Sequence, residues 1–237
     1  MSYAVEIEHL YFSYPDGTQV LKDLSVAISE DDSVGLIGPN GAGKTTLLLH
    51  LNGILRGEGK IKVFSREICD ETLARVRRDV GLVFQDPDTQ LFMPTVFDDV
   101  AFGPLNMGLP QDEIGRRVHR TLGAVDMEAS AERPSHHLSF GEKKRVSVAT
   151  VLAMAPRLLV LDEPTSNLDP GHRQQLMEIL RGVSMTKLIA SHDLEMIRVL
   201  TRQVILLSGG RIVAYGPTRE ILSDHQLLKS NGFFLLS

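Results

Sequence analysis

The sequence predicts an α/β fold in which helices flank an open, mostly parallel sheet and an all-helical insert interrupts it. Three short runs are continuously apolar, as expected of strands that a parallel sheet buries on both faces, and they lie at residues 34–37, 80–84 and 158–161. Strands and helices alternate along much of the chain, which is typical of α/β sheets. Residues 95–154 show no convincing strand pattern, and this stretch is the predicted insert.

The first third of the chain contains two strand patterns joined by a turn. Apolar and polar residues alternate loosely over 5–10 and strictly over 24–28, and the segment 14–17 (YPDG) between them is a turn signal. The apolar run at 34–37 leads through a Gly-rich stretch into a predicted helix over 44–54, whose apolar residues keep the 3.6-residue period.

The insert and the C-terminal third contain the remaining predicted elements. Apolar periodicity predicts three helices within the insert, at 95–102, 111–125 and 141–154. The loops between these helices carry Gly-Pro, Leu-Pro and Arg-Pro pairs, which favour irregular structure. Two more strands are predicted at 187–190 and 204–207, each beside a helical pattern.

Composition limits the class of protein before any motif is considered. The 237 residues can bury a hydrophobic core, and the single cysteine, Cys69, cannot form an internal disulfide bond. No apolar run approaches the length of a membrane span, and the first residues lack the pattern of a secretory signal. The formal charge of −5 disfavours a phosphate backbone as the main partner. We therefore expect a soluble intracellular protein that does not bind nucleic acid.

A Gly-rich loop after the strand at 34–37 matches the pattern G-x-x-x-x-G-K-[ST]. Glycines let successive main-chain N–H groups face phosphate oxygens, and the helix N-terminus adds partial positive charge. Lys44 would reach the β- and γ-phosphates of ATP, and the Thr45 hydroxyl would bind Mg²⁺. A chance match in a Gly-rich turn is the alternative, which the strand–helix context disfavours. The predicted ATP-binding residues of the loop are Gly38, Pro39, Asn40, Gly41, Ala42, Gly43, Lys44, Thr45 and Thr46.

A second motif, an apolar strand that ends in two carboxylates, supplies the other half of a nucleotide site. Asp162 and Glu163 follow the run at 158–161, so we expect them at the carboxyl edge of the sheet, where open α/β sheets bind ligands. Asp162 would hold Mg²⁺ through water, and Glu163 would orient and deprotonate the attacking water. Alternatively, an Asp-Glu pair before Pro164 could cap a helix; the phosphate loop makes this the weaker interpretation.

With these two motifs and five others, the chain resembles the ATP-binding-cassette (ABC) ATPases over nearly its whole length, and the motifs occur in that family's order. Residues 138–142 (LSFGE) resemble the family's signature sequence, and residues 166–169 (SNLD) resemble the loop after the acidic pair. Gln85 corresponds to the glutamine loop and His192 to the switch histidine. Tyr14 stands where the family stacks an aromatic ring on adenine.

The resemblance implies a fold and a division of the chain. The implied fold is a P-loop NTPase (RecA-like) core with an N-terminal antiparallel β subdomain and an inserted α-helical subdomain. A single cassette would span residues 1–237. The core and the β subdomain would occupy 1–86 and 155–237, and the helical signature subdomain would occupy 87–154.

The resemblance also implies a role for each motif. Glu163, His192 and Gln85 would be catalytic, with His192 at the γ-phosphate, and Gln85 would join Thr45 and Asp162 around Mg²⁺. Two cassettes pair head to tail in this family, and the signature of each completes the ATP site of the other, in an isologous arrangement. The residues implied to contact ATP across that interface are Ser139, Gly141, Glu142 and Asp169.

The signature departs from its commonest form at two positions, where Phe140 replaces a glycine and Glu142 replaces a glutamine. Ser139 and Gly141 are retained at the start of a predicted helix, whose N-terminus suits an anion, so we expect activity to survive. Other assignments have structural alternatives: Gln85 and His192 could be ordinary loop residues. The ring at Tyr14 could simply pack, as could those at residues 11 and 12.

The segment that follows Gln85 is most similar to the energy-coupling-factor (ECF) transporter ATPases, and among them to the cobalt/nickel branch. The similarity lies in residues 84–92 (FQDPDTQLF) and 96–110 (VFDDVAFGPLNMGLP). In such importers the ATPases bind a membrane scaffold subunit, and a separate membrane subunit captures the substrate. We therefore expect Asp88 and Gln90 to dock on the scaffold at the cytoplasmic face of the cell membrane, in a homodimer or a heterodimer with a sister ATPase.

Other functions remain open at the level of the sequence. A vitamin importer ATPase of the same group would look much the same. A soluble cassette that remodels nucleic acid or ribosomes is disfavoured by the negative charge and by the absence of interleaved basic and aromatic residues. A non-hydrolysing regulator would be expected to lack one of the key residues, all of which are present. The apolar segment 233–236 is expected either to fold back or to contact a partner.

Overall fold

Ten strands form two sheets in a computed structural model that describes residues 2–233. In chain order the strands are β1 (Tyr3–Ser13), β2 (Gln19–Ser29), β3 (Ser33–Ile37), β4 (Glu58–Val63), β5 (Arg66–Glu67), β6 (Val80–Val83), β7 (Leu158–Asp162), β8 (Thr186–Ala190), β9 (Gln203–Ser208) and β10 (Arg211–Pro217). One sheet is antiparallel, with the order β2-β1-β4-β5. The other has the order β10-β9-β3-β8-β7-β6 and is parallel except for β10.

The helices lie around these sheets, and three of them form a separate layer. In chain order they are α1 (Lys44–Leu51), α2 (Leu73–Asp79), α3 (Val96–Asn106), α4 (Gln111–Ala124), α5 (Phe140–Leu152), α6 (Pro170–Gly182), α7 (Leu194–Leu200), α8 (Thr218–Ser223) and α9 (His225–Ser230). Helices α3, α4 and α5 pack on one another and fall between β6 and β7 in the chain, as the predicted insert does. Within residues 2–233 no helix is long and apolar enough to cross a membrane.

The parallel sheet separates two hydrophobic cores. Along β7, Leu158 and Val160 face a core shared with the antiparallel sheet and α1, whereas Leu159 and Leu161 face a core shared with α3–α6. The whole strand is therefore buried, which is why its sequence is continuously apolar rather than alternating. Burial of apolar surface on both faces is the main stabilising contribution to such a sheet.

The mixed α/β architecture confirms the predicted fold class, and the predicted elements are present with shifted ends. The helix predicted to stop at residue 102 continues to Asn106, with Pro104 buried inside it, because packing outweighs the hydrogen bond that proline cannot donate. The division into 1–86, 155–237 and 87–154 stays a prediction. Of the apolar segment at the C-terminus, Phe233 packs on the core, and the other three residues lie outside the described part.

Candidate active site

A cleft of about 370 Å³ lies at the carboxyl ends of the parallel strands. The loop after β3 forms its floor, and the residues that follow β6, β7 and β8 form its wall. The lining residues are Tyr14, Val20, Asn40, Gly41, Ala42, Gly43, Lys44, Thr45, Thr46, Gln85, Asp162, Glu163 and His192. The structure thus gathers, in one place, residues that the sequence separates by more than a hundred positions.

Lys44 is the cation of this cleft, and the phosphate loop itself holds it in position. Its Nζ donates to the main-chain oxygens of Gly38 (2.8 Å) and Pro39 (3.3 Å). Gly43, just before α1, has a φ of +103°, a left-handed conformation that favours glycine. Burial lowers the pKa of Lys44, and the carboxylates of Glu163 and Asp162 oppose that shift. A buried cation at a helix N-terminus suits the phosphates of a nucleotide.

Thr45 and Asp162 form a hydrogen-bonded pair of side chains in the same cleft. The Thr45 hydroxyl donates to Asp162 Oδ2 at 2.6 Å, while the buried Oδ1 of Asp162 has no partner within residues 2–233. Burial raises the pKa of Asp162. An orphaned carboxylate oxygen beside a hydroxyl fits a hard cation such as Mg²⁺, which also takes ligands from phosphate and water. In the described part of the chain, no cluster of three or more His, Cys, Asp or Glu could hold a metal by itself.

Glu163 is fixed at the end of β7 by contacts to the end of β8. Its Oε2 accepts from the Ser191 hydroxyl at 2.9 Å and lies 2.9 Å from His192 Nδ1, while its Oε1 accepts from the His192 N–H at 3.0 Å. The backbone of Glu163 has a φ of +43°, which is unusual for a residue with a side chain. Strain of this kind persists only where neighbouring contacts determine the conformation, and it often marks a functional position.

Tyr14 lies at the rim of the cleft, as a base-stacking residue requires. Its hydroxyl shares a hydrogen bond of 3.1 Å with that of Thr46, and its ring packs edge-on against Phe12 at 5.0 Å. Of the three neighbouring aromatic residues in this part of the chain, Tyr14 is the one that lines the cleft. Its predicted contact with adenine stays a prediction.

Ser139 and Glu142 cap helix α5 and do not line this cleft. The Ser139 hydroxyl accepts from the Glu142 N–H at 3.3 Å, and Glu142 Oε2 accepts from the Ser139 N–H at 2.7 Å, which is a capping box. The bond from Ser139 lowers the pKa of Glu142. The glutamate that departs from the common signature therefore stabilises the helix start that presents the exposed Ser139.

Gly141 and Asp169 connect the signature helix to α6, also outside the cleft. A Cβ on Gly141 would lie 2.5 Å from the ring of His172, so only glycine allows this approach. Asp169 in turn pairs with His172 and accepts from the first N–H groups of α6, and the bond to His172 lowers its pKa. The exposed Asp169 and Ser139 are therefore structurally linked, and their contacts with ATP stay predictions.

The side chain of Gln90 is half-buried and makes its hydrogen bonds within the chain. Its Nε2 donates to the Ser147 carbonyl (2.8 Å) and the Thr150 hydroxyl (2.7 Å), and its Oε1 accepts from the Phe84 N–H (3.1 Å). All these contacts tie the end of β6 to α5, and the docking role of Gln90 stays a prediction. Asp88 is exposed and pairs with Lys143 at 2.7 Å.

Two residues near the cleft were missed by the sequence analysis. Ser191 donates to the catalytic candidate Glu163, and it follows an apolar strand as an ordinary loop residue would. Lys144 is 1% exposed, and its Nζ donates to the carbonyls of Gln85 (2.6 Å) and Glu163 (3.0 Å). Burial lowers the pKa of Lys144 to about 8. The adjacent lysines Lys143 and Lys144 follow the signature in the sequence, but the sequence does not show which of the two is buried.

Comparisons with known proteins agree with this geometry. The sequence profile described as "ABC transporter" matches residues 21–166. Two relatives are energy-coupling factor transporter ATP-binding proteins EcfA: that of Carboxydothermus hydrogenoformans is 48% identical over 98% of this chain and 87% of its own. That of Methanocaldococcus jannaschii is 47% identical over 96% of this chain and 84% of its own. A solved structure, CbiO1 of Clostridium perfringens, superposes with a TM-score of 0.85 at 37% identity, covering 97% of this chain and 94% of that one.

The first prediction concerns the cation of the phosphate loop. We expect Lys44→Ala to weaken ATP binding by about 10- to 100-fold, since a hydrogen bond to a charged group contributes about 1.5–3 kcal/mol. Lys60→Ala, which removes an exposed lysine of β4, is the matched control and should bind ATP like the wild type. Isothermal titration calorimetry measures both, and an unchanged dissociation constant for Lys44→Ala would contradict the assignment.

The second prediction concerns the orphaned oxygen of Asp162. Asp162→Asn keeps the shape of the side chain but removes its negative charge. We expect Mg²⁺ to tighten ATP binding by the wild type and to have little effect on the variant, while both bind ATP equally in the presence of a chelator. Equal Mg²⁺ dependence of the two dissociation constants would show that the cation binds elsewhere.

Proposed function

Because this chain belongs to the ABC transporter family, as an ATP-binding subunit with ATPase activity, we propose that its cleft powers the import of a small substrate through membrane partner subunits. The observation that carries the proposal is a cleft in which one phosphate loop, one candidate metal-binding carboxylate and one candidate base face the same space. A relative that does not hydrolyse ATP would be expected to lack one of four residues. All four line this cleft: Lys44, Asp162, Glu163 and His192.

The arrangement supports hydrolysis of the γ-phosphate by water. Lys44 and the loop N–H groups would bind the β- and γ-phosphates, and Thr45, Asp162 and Gln85 would hold Mg²⁺, which offsets charge on the phosphate oxygens when bound. Glu163 would orient a water molecule and take its proton while the bond from the γ-phosphorus to the leaving oxygen breaks. His192 would contact the γ-phosphate, since its ring lies beside Glu163 and lines the cleft.

The positions of the signature residues support a head-to-tail dimer. Ser139, Gly141, Glu142 and Asp169 lie outside the cleft of their own chain, and Ser139 and Asp169 are exposed. An isologous pair would bring these residues of each copy to the cleft of the other. The partner copy would be either a second copy of this chain or a sister ATPase.

An apolar patch on the helical layer supports a membrane partner. Phe92, Phe102 and Leu105 are 64%, 42% and 48% exposed, and the two phenylalanine rings pack edge-on at 5.0 Å. We call these three residues the Phe92 patch. Clustered exposed apolar side chains mark interaction sites, and the patch takes its residues from the two segments, 84–92 and 96–110, that resemble ECF transporter ATPases. The occupant that we propose is a cytoplasmic helix of an integral membrane scaffold subunit, which would hold the chain at the cytoplasmic face of the membrane.

The resemblance supports cobalt or nickel as the transported substrate. Residues 84–92 and 96–110 resemble the cobalt/nickel branch, and the similar CbiO1 is described as part of the ABC transporter complex CbiONQ. A vitamin importer of the same group is the second candidate, because the names of the EcfA relatives specify no substrate. In either case a separate membrane subunit would capture the substrate.

The third prediction tests Glu163 as the general base. Glu163→Gln keeps the hydrogen-bonding shape but cannot take a proton, so we expect hydrolysis to fall by about 10²- to 10⁴-fold, with ATP binding preserved. The variant should then accumulate as a stable ATP-bound dimer, which sedimentation velocity detects. Hydrolysis at the wild-type rate would contradict the assignment of Glu163 as the general base.

The fourth prediction tests the Phe92 patch. We expect Phe92→Ser to lower the fraction of the chain that sediments with membranes of the native host, with basal ATP hydrolysis unchanged. Val213→Ser is the matched control, because Val213 is 44% exposed on β10, at the opposite edge of the sheet from β6. Equal membrane binding by the two variants would argue against docking at the patch.

A further inference from the structure

Lys144 is a charged side chain that the proposed mechanism does not use, and it lies beneath the catalytic loops. It belongs to the second turn of α5, within the helical layer, and is 1% exposed. Its Nζ donates to the carbonyl oxygens of Gln85 at 2.6 Å and of Glu163 at 3.0 Å, and the Ser166 hydroxyl lies 3.5 Å away. One ammonium group thus joins α5 to two loops, the one that follows β6 and the one that follows β7.

Each of these partners belongs to a loop that the proposed function needs. Gln85 follows β6, Glu163 follows β7, and Ser166 begins the loop that leads to Asp169. The Glu163 peptide is held from both sides, because its N–H donates to Ala190 and its carbonyl accepts from both Lys144 and Ser166. These contacts surround a residue whose backbone is left-handed and whose side chain lines the cleft, and such a conformation persists only where neighbouring contacts hold it.

We propose that Lys144 is a positioning residue, which fixes the candidate base Glu163 and the Gln85 loop to the signature helix through their main-chain carbonyls. Lys144 does not line the ATP cleft and acts through Glu163 rather than on the reacting atoms. Its consequence for the reaction is that a shift of α5 moves the base and the glutamine loop together. The proposal rests on the proposed function, in which Glu163 is the general base.

The neighbouring residues explain why an ammonium group can remain buried here. Two carbonyls and a hydroxyl offer acceptors in different directions, which the three donors of a lysine can use and a single apolar side chain cannot. The Phe140 ring centroid lies 5.7 Å from Lys144 Nζ, within the range of a cation–π interaction. The phenylalanine that departs from the common signature therefore contributes to holding this cation.

The test compares two adjacent lysines of the same helix. Lys144→Met keeps an unbranched side chain of similar length but donates no hydrogen bond, whereas Lys143→Met removes a lysine whose partner is the exposed Asp88. We expect Lys144→Met to lower kcat by about 10- to 100-fold, the usual effect of a misplaced catalytic group, with ATP affinity within about twofold of wild type. Lys143→Met should keep both quantities. The full chain is assayed for kcat, KM and thermal midpoint.

A merely structural lysine gives a different result. It would lower the thermal midpoint and the folded fraction, but kcat per folded molecule and KM would stay at their wild-type values, and that outcome overturns the proposal. Lys144→Gln, which retains one donor on a shorter side chain, is the second variant if Lys144→Met does not fold. It should also lower kcat with ATP affinity kept, and a wild-type kcat for this variant equally overturns the proposal.

A double-mutant cycle tests the shared carbonyl directly. Lys144 and Ser166 donate to the same Glu163 oxygen, so the effects of Lys144→Met and Ser166→Ala on kcat should be non-additive, whereas those of Lys143→Met and Ser166→Ala should add. Additive effects of the first pair contradict the proposal. Glu163→Gln distinguishes failure of the proposed function from failure of the Lys144 proposal. If that variant hydrolyses ATP at the wild-type rate, Glu163 is not the general base, whatever the effect of Lys144→Met.

Discussion

Four charged side chains are buried at the carboxyl edge of the parallel sheet, and most of the local structure serves to offset the cost of burying them. An unpaired buried ion costs on the order of several kcal/mol. The loop carbonyls hold Lys44, the Thr45 hydroxyl holds Asp162, and the end of β8 holds Glu163. The remaining ion, Lys144, is held by main-chain oxygens. Within residues 2–233 one buried carboxylate oxygen of Asp162 has no hydrogen-bond partner, which leaves it available to a cation.

Helix α5 connects the proposed partner surfaces to this cluster. Its first residues present the exposed Ser139, its second turn places Lys144 beneath the catalytic loops, and its third accepts the amide of Gln90. Because Gln90 follows the glutamine loop and adjoins the Phe92 patch, a partner that moves the patch would also move α5. Under the proposed function, docking would therefore act on the base through packed contacts, with no side chain shared between the two sites.

The sequence predicted those parts of the site that local chemistry determines. The phosphate loop and the acidic pair were recognisable because each lies beside an apolar strand that points to the same edge. By contrast, β4 was missed, because three of its six residues are exposed and its two apolar residues are too few to set a pattern. The inward turn of Gln90 and the role of Lys144 were also missed. Gln90 donates to the carbonyl of a residue 57 positions away and Lys144 to one 59 positions away, and any residue type can supply a main-chain carbonyl, so the sequence does not reveal such a partner.

The central claim is an ATP site formed by the phosphate loop of one copy and the signature of another, and complementation between two defective variants tests it most directly. Lys44→Ala damages the first part, and Ser139→Arg blocks the second. Mixed dimers of these variants contain one intact site if the parts come from different copies, so the account predicts that mixing restores ATP hydrolysis that neither variant shows alone. If both parts belong to the same copy, no intact site forms. A mixture no more active than the sum of its components would contradict the account.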